Sequence, residues 1–136
     1  MFAVNYLAVV VSLAVYTVLG MLWYGPLFGK SFIRLAGLDG VDMSSKEMKQ
    51  SMTTGYVASL VSSFVALLTL AMMMRLAGIT GALDGLLFGA LAAFGLIAMS
   101  LVGEAAWHRT PWSLVALNSG YRIVGLSIGG LIIGVW

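Results

Sequence analysis

The sequence predicts an all-α fold: a four-span antiparallel transmembrane helical bundle, with a short amphipathic interfacial helix between spans one and two. Three observations predict it. Of the 136 residues, 61% are hydrophobic and 9% charged, too little charge to coat a water-facing surface. Four separate stretches supply the roughly 20 apolar residues that a helix needs to cross hydrocarbon. The chain also carries 17 glycines, which in so apolar a sequence point to closely packed helices rather than flexible linkers.

The first span runs from about Phe2 to Trp23, the second from about Gly55 to Met74, the third from about Leu83 to Ala106 and the fourth from about Trp112 to Trp136. Little remains between them, so residues 1–136 read as a single transmembrane domain. The first span is expected to be retained rather than cleaved as a signal peptide. No basic residue precedes Lys30, the apolar run is long, and no small-residue cleavage site follows it.

The longest link has its own pattern. Gly25-Pro26 is expected to end the first helix. Over about residues 27–37, Phe28, Phe32 and Leu35 share one helical face, with Lys30 and Arg34 opposite. That spacing predicts a short helix lying in the membrane surface, its basic side toward water or anionic head groups. Gly37 and Asp39-Gly40 are expected to close it. Ser44-Ser45-Lys46-Glu47 reads as a capping box, so the second helix should begin near Ser45, outside the hydrocarbon. The other links, Leu76 to Gly81 and His108 to Pro111, are short.

Charge predicts orientation. Lys30, Arg34, Lys46 and Lys49 lie in the first link and Arg109 in the third, whereas only Arg75 lies in the second. By the positive-inside rule the first and third links face the cytoplasm and both termini face outside. Trp23, Tyr24, Trp107 and Trp112 fall at the inner boundary and Trp136 at the outer one, as interfacial aromatics should. The expected location is a bacterial inner membrane.

The run Gly20-Met21-Leu22-Trp23-Tyr24-Gly25-Pro26-Leu27-Phe28-Gly29-Lys30 is distinctive. It resembles the signature of small bacterial membrane proteins grouped as domain-of-unknown-function family 1761. Members also resemble this chain in an asparagine near the start of the first helix, here Asn5, and in a glycine-rich last helix with an Asn-x-Gly-Tyr element, here Asn118-Ser119-Gly120-Tyr121. The resemblance covers essentially the whole chain. It implies an architecture and carries over no catalytic or binding residue.

Polar groups inside spans are costly unless partnered, so each needs a reason. Arg122 lies about ten residues into the fourth span, or about 15 Å at 1.5 Å per residue. Asn118 is one turn before it, and Gly125 and Gly129 continue the face. This stripe must look into protein. Side chains lean toward their helix N-terminus. Arg122 and Glu104, on antiparallel neighbours, therefore lean toward each other, and a direct or bridged Arg122–Glu104 pair is expected. It reads either as a register-setting ion pair or as part of an ion or substrate path.

Asp84 starts the third span, where a carboxylate favours the helix dipole; the rival reading is an outer cation site shared with Asn5. Asn5, Ser12, Tyr16, Gly20 and Trp23 form one stripe down the first span. Ser59, Ser62, Ser63 and Thr69 add hydroxyls on the second, for packing or for a watery path. Gly81, Gly85, Gly89 and Ala93 on the third span, and Gly130 and Gly134 on the fourth, mark helix contacts without saying whether the partner is the same chain. A homo-oligomer is expected because four spans enclose little interior.

Several function classes fall away. With no cysteine, disulfide scaffolds, thiolate metal sites and a cysteine nucleophile are excluded. His108 is a lone interfacial histidine, and Met72-Met73-Met74 point different ways round a helix, so no metal site is expected. Neither a spaced carboxylate pair nor a Ser/His arrangement nor a phosphate-binding glycine loop appears, so no enzyme and no cofactor is expected. A net charge of +2, scattered along the chain, does not suit nucleic acid. The best expectation is an oligomeric channel or transporter for an ion or small solute. The alternative is a structural or accessory protein for helix packing, complex assembly or lipid binding. Small multidrug transporters are similar in size and span number but carry a glutamate in the first helix, which this chain lacks.

Overall fold

A computed structural model describes residues 4–35 and 46–136. The described residues form helices joined by short turns. They are α1 (Tyr6–Leu22), α2 (Gly29–Leu35), α3 (Lys46–Ala77), α4 (Ala82–Ala92), α5 (Met99–His108) and α6 (Trp112–Val135), with π-helical segments at Trp23–Leu27 and Ala93–Ala98. The first of these segments is kinked at Gly25, where the chain passes from α1 toward α2, and the second fuses α4 and α5. Four helices long and apolar enough to cross a membrane result: Tyr6–Leu27, Thr53–Ala77, Ala82–His108 and Trp112–Val135. The chain is therefore a multi-pass membrane protein whose outward apolar faces meet lipid.

Local sequence explains where helices start and stop. The Asn5 side chain accepts a hydrogen bond from the Ala8 amide at 3.2 Å, an N-cap on α1. Its side-chain carbonyl oxygen thereby satisfies an orphan helical N–H. Asp84 lies exposed in the first turn of α4, where its charge complements the helix N-terminus. Gly78, at φ +70°, ends α3. Its amide donates to Arg75 O and that of Ile79 to Met74 O, the paired bonds of a Schellman cap that favour glycine there. The expected start of the second helix near Ser45 falls one residue before Lys46, although Ser44 and Ser45, like Gly37 and Asp39-Gly40, lie outside the described residues.

Gly25-Pro26 ends the regular first helix, as expected. Proline removes one backbone donor, and Gly25 takes a non-helical conformation (φ −107°, ψ −106°). The helical path breaks there, and the Phe28 amide reaches back across the kink to the Trp23 carbonyl at 2.9 Å. The chain then turns into α2; Phe28 just before it packs on Trp23 at 4.8 Å, and Phe32 within it on Tyr24 at 4.9 Å. Gly29 is buried in the turn, where a methyl group would sit 2.8 Å from the Tyr24 carbonyl oxygen. Lys30 and Arg34 remain exposed.

The hub of the fold is α6, which touches every other helix. Two seams run along it in opposite chain order. On one, Gly81, Gly85 and Gly89 of the third span meet Gly134, Gly130 and Leu126. A methyl group on Gly85 would overlap the Gly130 carbonyl oxygen, one on Gly130 the Gly85 oxygen, and one on Gly134 the Gly81 oxygen. The Gly81 amide also donates to Gly134 O at 2.9 Å, satisfying a carbonyl that the end of α6 would leave orphaned. The glycine strings are thus spent within one chain, between its third and fourth spans. In lipid, where apolar burial gains little, such close backbone approach supplies dispersion contacts instead.

The second seam joins α1 to α6. α3 closes over both with Leu67, Leu70, Ala71 and Met74, all buried. Leu67 presses on Gly129, where a methyl group would lie 2.7 Å from its Cδ2. Among the described positions of α3, burial begins at Ser63; Thr53 to Ser62 are exposed all round the helix.

Candidate functional site: a tyrosine-lined arginine between α1 and α6

From Ser12 to Trp23 the stripe on the first helix faces protein, whereas Asn5 is exposed. Ser12 is buried, with its hydroxyl 3.5 Å from the Gly129 carbonyl. Tyr16 lies against Gly125, where even a methyl group would collide with its ring. Gly20 makes room for the Tyr121 hydroxyl, 2.7 Å from where a Cβ would stand. Trp23 covers Gly120, and its indole N–H donates to the Leu117 carbonyl at 3.1 Å. Small residues on each helix thus accept aromatic rings from the other.

Arg122 sits at the centre of this seam. Its Nη1 donates to the Tyr16 hydroxyl at 3.0 Å, and its guanidinium carbon lies 5.6 Å from the centre of the Tyr121 ring, within cation–π range. Tyr121 stands edge-on to Tyr16 at 4.8 Å and donates its hydroxyl proton to the Tyr16 backbone carbonyl at 3.0 Å. Tyr24 lies 5.3 Å from Tyr121 and donates to Asn118 Oδ1 at 2.7 Å. The result is a basic centre held by neutral aromatic groups.

The direct form of the expected Arg122–Glu104 pair is not made: among the described residues no carboxylate lies within ion-pairing distance of Arg122. The reason is the face each residue occupies. Asn118, Gly125 and Gly129 place the arginine stripe toward α1 and α3, whereas Leu126 and Gly130 point at the third span. Glu104 lies exposed on α5 instead. It lines a cleft of about 190 Å³ with Leu101, Ala105, His108, Thr110, Val115 and Asn118. Asn118 belongs to both features: its oxygen is held by Tyr24 and its flank forms the cleft wall.

Two of the four candidate hydroxyls on the second helix serve their own backbone. Ser62 donates to Ser59 O and Thr69 to Val65 O, at 3.1 and 2.7 Å, as in-span hydroxyls commonly do. Ser63 is buried and Ser59 exposed. Two features escaped sequence reasoning. One is the π segment at Ala93–Ala98, which packs against α6; π bulges recur at functional sites, but no proline or charge announces this one. The other is Ser119, whose buried hydroxyl has no hydrogen-bond partner. No group of three or more His, Cys, Asp or Glu suited to a metal occurs among the described residues.

The site is also where two distant segments meet. Trp23-Tyr24, from the turn after the first span, dock on the Asn-x-Gly-Tyr element of the last: Trp23 on Leu117 and Gly120, Tyr24 on Asn118 and Tyr121. No curated protein and no solved structure matches the chain. A family model does match over residues 7–134, nearly the whole length and including both segments. The chain belongs to the DUF1761 family, described as a protein of unknown function.

Proposed function

We propose that this membrane protein is a channel or transporter for an ion or small solute, not an enzyme, and that Arg122 is its binding residue. The observation that supports this reading is the arginine's company. A guanidinium in a membrane span costs several kcal/mol unless compensated, and here its neighbours are a phenol, an aromatic face and an amide, all neutral. A purely structural arginine would be better served by a carboxylate partner. An unneutralised charge beside Asn118, whose other side borders a cleft, suits a site that a solute visits. The basic links set the orientation proposed with it: the first and third links in the cytoplasm of a bacterial inner membrane, the termini outside. The outward-facing first half of the second span leaves room for a second copy, so the working unit is proposed to be a homo-oligomer.

Reconstituted liposomes test this. Gradient-driven flux of a small ion or solute is expected in the wild type, lost in Arg122→Ala and kept in Arg75→Ala, a change at an exposed residue remote from the seam. A tight oligomer with no flux of protons, halides, cations, carboxylates or phosphate defeats the proposal. That outcome favours the alternative, an accessory protein, which the tight glycine seam between the third and fourth spans equally suits.

A further inference from the structure

The geometry points to an oxyanion, a carboxylate or a phosphate, as the ligand of the Arg122 site. This deepens the transport reading and rests on it for its biological use, though not for its chemistry. The argument is a balance of donors and acceptors. A guanidinium offers five N–H donors and no acceptor, and Arg122 directs Nη1 to the Tyr16 hydroxyl. Its other contact is the face of the Tyr121 ring, 5.6 Å away. One turn earlier on the same helix face, Asn118 has its oxygen occupied by the Tyr24 hydroxyl at 2.7 Å, which leaves its NH₂ group as the free end.

The Tyr121 hydroxyl is turned away to the Tyr16 carbonyl. The unsatisfied polar capacity of the seam is therefore donor capacity, and it carries a positive charge. A cation is repelled there, and a neutral sugar or amine brings donors of its own that find few acceptors. An oxyanion supplies what is missing: formal negative charge and two or more acceptor oxygens spaced to match the planar guanidinium fork. The one acid lining the adjoining cleft does not fill this role, since Glu104 is exposed on α5 and makes no direct ion pair with Arg122.

Binding is tested apart from flux, on the full chain in a phosphate-free maltoside detergent. Inorganic phosphate, acetate and chloride are titrated at fixed ionic strength while thermal unfolding and tryptophan emission are followed. Trp23 packs 6.4 Å from Tyr121 and serves as a local reporter. Phosphate or acetate is expected to give a saturable rise in midpoint that chloride does not. Affinity should fall about tenfold or more in Arg122→Gln, as loss of a charge-assisted contact implies. It should be partly kept in Arg122→Lys and unchanged in Arg75→Gln. Should Arg122→Gln fail to fold, Asn118→Leu replaces it, with weakened binding as the expected result.

Soluble phosphate and phosphatidic acid in mixed micelles separate the two sources of the same chemistry. A response to the lipid alone keeps the oxyanion assignment and identifies a head-group phosphate. Equal responses to all three salts, none at all, or binding retained in Arg122→Gln overturns it. Saturable oxyanion binding without flux sinks transport and leaves this site standing; flux of cations only does the reverse.

Discussion

The guanidinium of Arg122, in the last helix, donates to the hydroxyl of Tyr16, in the first, across 3.0 Å. Tyr16 is buried, and its own backbone carbonyl receives the Tyr121 hydroxyl, so one residue of α1 holds two consecutive residues of α6. Tyr16→Phe keeps the ring that packs on Gly125 and removes only the acceptor. We expect it to destabilise the bundle by about 1–2 kcal/mol, the upper part of the range for interhelical polar contacts in membranes. Unfolding by a denaturing detergent measures this. A double-mutant cycle with Arg122→Gln should show coupling of similar size; additive effects would mean that the 3.0 Å contact contributes nothing to stability.

The glycines divide into two classes that sequence spacing does not separate. Gly85 and Gly130 face each other's carbonyl oxygens, with no room for a methyl group, whereas Gly95 and Gly103 meet nothing within 4 Å. Alanine at Gly85 or Gly130 must push two helices apart and is expected to cost about 1–3 kcal/mol. The same change at Gly103 should be neutral or stabilise by up to about 1 kcal/mol through helix propensity. Comparing unfolding midpoints of G85A, G130A and G103A checks this. Equal effects at all three would mean the seam is not closed.

Much of this architecture was readable because membranes impose few solutions. Spans, their approximate limits and the inward face of α6 follow from hydropathy and from the cost of leaving polar groups in lipid. The partner of Arg122 did not follow. Charge complementarity and side-chain lean both favoured Glu104, but which face of α6 meets which helix depends on the Gly85–Gly130 seam rotating that helix, a three-dimensional fact with no local signature. The spacing of Asn5, Ser12, Tyr16, Gly20 and Trp23 did reveal a common stripe. That Tyr16 would be the acceptor was not evident, because a tyrosine in a span is more often read as packing. The break at Gly25-Pro26 was legible, because proline removes a donor and glycine tolerates the non-helical backbone found there.

Ser119 carries a buried hydroxyl without a partner. Leaving such a group unmade costs about 1–3 kcal/mol, whereas replacing it with an apolar group of similar shape can be neutral or favourable. Ser119→Ala is therefore expected to match or exceed wild-type stability in the same detergent-unfolding assay. A loss well beyond about 1 kcal/mol would show that the hydroxyl has a partner in the membrane, such as an ordered water.

Orientation yields the last prediction. Lys30, Arg34 and Arg109 belong to links at one end of the bundle and Arg75 to the other, and translocation of short loops disfavours the more basic end. The chain has no cysteine, so single cysteines can be placed without a background. In intact cells a membrane-impermeant thiol reagent is expected to label Thr80→Cys, in the turn between α3 and α4, and to spare His108→Cys, in the link before α6, until the membrane is permeabilised. Both positions are exposed or nearly so, so accessibility in the folded protein does not limit the reaction. The reverse labelling would invert the proposed topology. It would also move the Glu104–His108 cleft, and with it the nearest polar opening beside Asn118, to the outer face.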